Sequence, residues 1–120
     1  MDFGAYRYVK PANRWDRKAD MIEPNRQNRA CGKVINPATG KEEVVVTGGR
    51  DVGGPSSSTV IYTVEDDTWR QGTPLPKTLE DPASLPYGDS FLILGGYDGT
   101  GQTFCQAHKS IYQVKSMFYT

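Results

Sequence analysis

His108 is the only histidine in the chain, and Cys31 and Cys105 are its only cysteines. These residues bound the chemistry that can occur. One histidine cannot make a multi-histidine metal site within the chain. The two cysteines are too few for a disulfide framework and too far apart in sequence for a metal pair. They read as free thiols, which suits a reducing compartment such as the cytoplasm. Serines and acids are plentiful, but no nucleophile-elbow sequence accompanies them, and His108 sits in a loop segment. It is expected to be a solvated loop residue, and the chain alone is expected to have no catalytic activity.

The other candidate motifs are equally thin. "GRDVGG" (Gly49 to Gly54) and "GYDGTG" (Gly96 to Gly101) are glycine-rich but lack the Gly-Lys-Ser/Thr end of a phosphate loop. "ATGKEE" has Gly40-Lys41, followed by Glu42, whose charge repels phosphate. "VEDDT" brings together Glu65, Asp66 and Asp67. It reads as a polar turn, with a weak cation site as the alternative. No cofactor or metal is expected. Arg14, Arg17, Lys18, Arg26 and Arg29 are interspersed with Asp16, Asp20 and Glu23, as on a mixed solvated surface. Net charge is zero, so neither nucleic acid nor an anionic membrane surface is indicated as a partner. No apolar run reaches the roughly 18 residues of a membrane helix. The first ten residues lack the apolar core of a signal peptide.

The informative pattern is in what must position these residues. "VVVTGGRDVGG" begins at Val44, and "FLILGGYDGTG" begins at Phe91, 47 residues later. Each is a short buried-strand pattern closed by two glycines: Gly48-Gly49 and Gly95-Gly96. Paired glycines allow positive φ and close backbone approach. Downstream, Tyr62 precedes Trp69 by seven residues and Tyr112 precedes Tyr119 by seven. Tyr8 precedes Trp15 by the same interval. Six residues past Trp15 and Trp69 stand Met21 and Leu75. Upstream, Ala30 and Ala83 correspond at a spacing of 53. The length changes between copies fall in turns and loops, where they are tolerated.

One unit of about 50 residues therefore recurs, and that period signals a repeat architecture. The fold expected is all-β, with four antiparallel strands, a to d, per unit. The first part-unit, 5–21, holds c near Tyr6–Val9 and d near Trp15–Ala19. The complete unit, 29–76, holds a near Arg29–Val34, b at Glu43–Thr47, c at Thr59–Val64 and d near Trp69–Gly72. The last, 83–119, holds a near Ala83–Pro86, b at Phe91–Leu94 and c at Ile111–Val114. Prolines 37, 55, 74, 76, 82 and 86 are expected in turns or at strand ends.

This pattern resembles the kelch repeat, and "RQNRA" (Arg26 to Ala30) resembles its opening segment. There are departures: Leu79 and Pro82 stand where the previous unit has Arg26 and Arg29, and Tyr119 replaces the Trp. The resemblance implies a β-propeller built of four-stranded blades. It implies that Gly48, Gly49, Gly95 and Gly96 end the b strands at a crowded point. It also implies that Tyr8, Tyr62 and Tyr112 lie in c strands, and that Trp15 and Trp69 fill gaps between blades. Trp69 is expected to link two blades most strongly. Two part-blades and one whole blade fall short of the roughly four to eight that a closed propeller needs. The expectation is therefore a fragment whose remaining blades belong to a longer chain, with association of copies as the alternative.

Kelch propellers are often protein-binding platforms, which implies an interaction module with a protein partner. Its long loops, Arg50–Ser58 and Tyr97–Lys109, are the expected contact points, with Tyr97, Phe104 and His108 as candidate contact residues. The alternative is a slice of a propeller enzyme resembling galactose oxidase, its copper site lying mainly in other blades.

Overall fold

β-Branched and aromatic runs separated by glycine and proline give strands throughout. The computed structural model describes residues 4–23, 27–100, 103–104 and 111–113. Arg26, Cys105, His108 and Tyr119 lie outside the described residues, as do the side chains of Phe104 and Tyr112. The strands are β1 (Ala5–Val9), β2 (Arg14–Lys18), β3 (Ala30–Ile35), β4 (Glu42–Thr47), β5 (Arg50–Asp51), β6 (Gly54–Pro55) and β7 (Thr59–Thr63). They continue with β8 (Thr68–Gln71), β9 (Ala83–Tyr87), β10 (Ser90–Leu94), β11 (Gly96–Tyr97), β12 (Thr103–Phe104) and β13 (Ile111–Gln113).

The central unit is a four-stranded antiparallel sheet in the order β3-β4-β7-β8. It is preceded by the hairpin β1-β2 and followed by the three-stranded sheet β13-β10-β9. All ladders are antiparallel, as in consecutive propeller blades. The repeat is visible in the registers. Tyr8 lies opposite Trp15 in the first unit, and Tyr62 opposite Trp69 in the second. Ala30 pairs with Thr47, and Ala83 pairs with Leu94. The difference in unit length sits in the a–b turn: Asn36 to Lys41 in one, only Gly88 and Asp89 in the other. Gly88, at φ +61°, opens that two-residue hairpin loop.

One detail differs from the sequence reading. Pro86 lies inside β9 rather than at its end. It is tolerated because β9 is the edge strand of its sheet, so its missing N–H breaks no inner ladder. Repeat spacing sets Tyr112 opposite Phe91, whereas β13 places it opposite Ile93. A slide of two residues keeps each side chain on its own face of the sheet.

The core lies between the second and third units. Val34, Val45, Ile61, Leu79, Phe91 and Ile93 are buried there. Gly32 makes room for this packing: a Cβ on it would stand 2.3 Å from the Phe91 ring. Glu43 is also inside, its side chain 2% exposed, and Arg70 holds it by two contacts of 2.6 and 3.1 Å. Thr63 Oγ1 donates to the same carboxylate at 2.9 Å. One acid thereby ties strands b, c and d. Removal of either partner is expected to act asymmetrically, because Arg70 is 44% exposed and can turn to water. Arg70→Leu takes two charge-assisted hydrogen bonds from a buried carboxylate and should cost about 3 kcal/mol. Glu43→Leu should cost about 1 kcal/mol or less, since it leaves a cation that water can solvate. Urea denaturation of both variants measures the difference; equal losses would contradict this account.

Candidate interaction surface

The paired glycines end their strands where another chain segment crosses. Gly48 and Gly49 have φ of +72° and +95°; Gly95 and Gly96 have +68° and +104°. A Cβ on Gly48 would lie 2.7 Å from the Leu79 carbonyl oxygen, and one on Gly96 would lie 3.0 Å from that of Glu80. The crossing segment is the connection between units two and three. Its Leu79 carbonyl accepts from Gly49 N–H at 2.8 Å. Leu79 N–H and Leu75 N–H donate to Ser56 and Ser57 carbonyls.

Directly after each glycine pair the backbone repeats a bridge. Arg50 exchanges two backbone hydrogen bonds with Gln27, and Tyr97 exchanges two with Glu80. Each then enters a two-strand ribbon, β5-β6 or β11-β12. The two long loops are thus anchored ribbons at their bases. They lie side by side, with Pro55 3.5 Å from where a Cβ on Gly99 would sit.

Charges on this end are matched within the unit pair. Arg50 meets Glu80 at 2.8 Å, and Asn28 donates to the other Glu80 oxygen at 3.2 Å. The Arg50 hydrogen bond holds the Glu80 carboxyl below its ordinary range. Asp98 accepts from the Thr100 hydroxyl and backbone N–H, and lies 3.0 Å from Lys77. Thr100, with Lys77 behind it, draws the Asp98 carboxyl down to about 2. Val52 at the tip of the β5-β6 ribbon is fully exposed, at 104%. Asp51 Oδ1 accepts from Gly53 N–H at 2.8 Å and fixes that tip. An apolar knob on a braced hairpin was missed by sequence reading. "RDVGG" had shown its glycines but not that its valine has no core to enter. Tyr97 is half-buried at the ribbon base rather than projecting from a loop tip.

Each aromatic pair joins strands c and d of its own unit. Tyr62 and Trp69 rings are 4.9 Å apart, and Tyr8 and Trp15 rings 5.2 Å. Tyr62 O–H donates to Asp67 Oδ1 at 2.6 Å, and Tyr8 O–H to Asn13 Oδ1 at 2.6 Å. Asn13 and Asp67 both adopt left-handed backbone, at φ 50° and 54°. Burial first, then Asp67, pushes the Tyr62 hydroxyl up to about 12. Trp69 Nε1–H donates to the Ala19 carbonyl at 2.8 Å, and Ala19 N–H donates to Asp67 at 2.9 Å. Trp69 therefore grips the exit of the first unit. Trp15, read as a gap filler, is instead 67% exposed.

The remaining candidates carry no shared centre. Asp66 and Glu65 face Lys41 Nζ at 3.0 and 4.0 Å, while Asp67 serves Tyr62 and Ala19. Among the described residues, no three His, Cys, Asp or Glu side chains gather to hold a metal. Cys31 is exposed and unbridged, beside Ser84 and Leu85 on a cleft of about 290 Å³ between β3 and β9.

Comparison with known proteins agrees with this architecture. The kelch motif model matches residues 36–76. A kelch domain-containing protein of Saccharolobus solfataricus is 34% identical over 50 residues, which span 42% of this chain and 7% of that protein. The matched stretch contains strand b, the glycine pair, strand c and the Tyr62–Trp69 pair that the structure brings together. With antiparallel sheets repeated around it, this stretch is a kelch motif within an all-β chain that is similar to kelch-repeat proteins.

Proposed function

We propose that this chain is a protein-interaction module whose blades belong to a larger propeller, and that its ribbon end contacts the partner. Kelch repeats generally mediate protein–protein contact and are generally non-enzymatic. The observation that carries the reading is Val52, a fully exposed apolar side chain on a braced hairpin tip. On the same end Arg50 is paired with Glu80 and Lys77 with Asp98, so these charges oppose a partner little. An exposed apolar tip on an end whose charges are paired suits a contact centre.

Affinity capture with the chain tests this. Val52→Asp should weaken capture of its specific partner by about tenfold or more, a loss near 1.4 kcal/mol. Thr39→Asp, in the a–b turn away from the ribbons, should leave it unchanged. Equal capture by wild type and Val52→Asp would overturn the assignment of this end. Since Val52 touches no core, both variants should unfold at the wild-type urea midpoint.

A further inference from the structure

Asp98 is the one aspartate in the chain that glycine follows, and no asparagine precedes a glycine. An aspartate–glycine pair is open to a rearrangement of its own backbone. The nitrogen of Gly99 attacks the carbon of the protonated Asp98 side-chain carboxyl. An N–C bond forms, and the carboxyl hydroxyl leaves with the amide proton as water. The five-membered imide then takes up one water at either of its carbonyls. Opening at the side-chain carbonyl restores aspartate. Opening at the main-chain carbonyl leaves isoaspartate, whose backbone runs through the former side chain. Nothing is oxidised or reduced, and the mass does not change. Glycine is the favourable neighbour because no Cβ shields its nitrogen.

The fold clamps this pair. Asp98 Oδ1 accepts from the Thr100 N–H at 2.9 Å and from its hydroxyl at 2.6 Å. Oδ2 lies 3.0 Å from Lys77 Nζ, and the Asp98 side chain is 8% exposed. The backbone is held as well: the Thr78 hydroxyl donates to the Asp98 carbonyl at 2.7 Å, and Tyr97 is bridged to Glu80. Ring closure needs one carboxyl oxygen to depart, which gives up the bonds to Thr100 or to Lys77. The same partners keep the group ionised, drawn down to about 2, and a carboxylate has no hydroxyl to lose. Asp51, the counterpart 47 residues earlier, makes the same turn by accepting from Gly53 N–H at 2.8 Å. Val52 follows it, and a β-branched side chain shields that nitrogen. The two ribbons share a turn, and only the later one combines it with this chemistry.

We infer that Asp98–Gly99 is a site of self-modification by isoaspartate formation, and that Thr100 and Lys77 hold it closed in the folded ribbon. Isomerisation has a structural consequence. It adds a methylene to the main chain and moves the carboxylate to the α-carbon, so the acceptor of the turn is lost. It does so where the two ribbons touch, with Pro55 3.5 Å from where a Cβ on Gly99 would sit. The inference does not rest on the ribbon end meeting a partner. Its readout is the Asp98–Gly99 bond, so it and the assignment of Val52 can fail separately.

Incubation of the full chain at neutral pH and physiological temperature, followed by peptide mapping with electron-transfer fragmentation, tests this. That fragmentation distinguishes isoaspartate from aspartate at equal mass. Folded wild type should accumulate isoaspartate at residue 98 about tenfold more slowly than the chain unfolded in guanidinium. Thr100→Ala removes a hydroxyl donor to a charged acceptor and should speed isomerisation of the folded chain about tenfold. Lys77→Met removes a partly exposed ion pair and should speed it about threefold. Thr100→Ser keeps the hydroxyl and should stay at the wild-type rate. Thr100 is exposed, so Thr100→Ala should keep the wild-type urea midpoint. If that midpoint falls, the Lys77→Met rate alone decides the clamp. Folded wild type isomerising as fast as the unfolded chain would overturn the inference, as would folded variants at the wild-type rate. Faster formation at Asp51 than at Asp98 in the unfolded chain would overturn the choice of site.

Discussion

Trp69→Ala should lower the stability of the chain by about 3 kcal/mol in urea denaturation, within the range for large aromatic truncations. Three losses combine. The indole no longer meets the tilted Tyr62 ring at 4.9 Å, a contact worth about 0.5–1.5 kcal/mol. The Ala19 carbonyl loses its donor, worth about 0.5–1.5 kcal/mol. The rest is apolar burial, discounted because Trp69 is half-buried rather than fully enclosed.

Two comparisons separate these contributions. Trp69→Phe keeps one ring but loses the N–H donor and the second ring's area, so its cost should be about 2 kcal/mol, below that of alanine. Trp15→Ala should cost less than about 1 kcal/mol, because Trp15 is 67% exposed and donates to no described residue. Hydrogen exchange adds a local readout. The Ala19 amide, bonded to Asp67, should lose protection in Trp69→Ala while Val45 in the buried sheet keeps it. A Trp69→Ala cost below about 1 kcal/mol would mean that the indole does not join the units.

What could be read from the sequence was what depends on local pattern. Valine at positions 44 to 46 and the run Phe91 to Leu94 fixed two b strands by composition, and the turns were marked by glycine, proline and asparagine. The seven-residue Tyr–Trp interval identified side chains that meet because a hairpin with that spacing pairs them directly. What escaped depends on distant residues. The burial of Glu43 left no local mark, since its partner Arg70 reaches it from two strands away. The brace under each aromatic pair was hidden because one copy uses an amide, Asn13, and the other an acid, Asp67. The register of Tyr112 depends on how a long loop closes, and its sequence leaves that open. Leu79 carried no visible role: the reason a glycine pair is needed at Gly48 is the carbonyl of a residue 31 positions later.

Gly48→Ala should cost about 3 kcal/mol, and Gly40→Ala about 1 kcal/mol, although both glycines have φ of +72°. An alanine in left-handed backbone costs about 1–2 kcal/mol wherever it stands. At Gly40 that is the whole effect, because no atom lies within 4 Å of the added Cβ. At Gly48 the Cβ meets the Leu79 oxygen at 2.7 Å, and backbone has to move. The Leu79 carbonyl is also the acceptor for Gly49 N–H, so displacing it breaks a bond at the same crossing. Asparagine separates the two causes, since its side chain eases the left-handed conformation without removing the Cβ. Gly40→Asn should recover most of the loss seen with alanine, whereas Gly48→Asn should recover little. If asparagine rescued both sites equally, the glycine pair would be required for its dihedral angles alone. The crossing at Leu79 would then not explain why the motif carries glycine there.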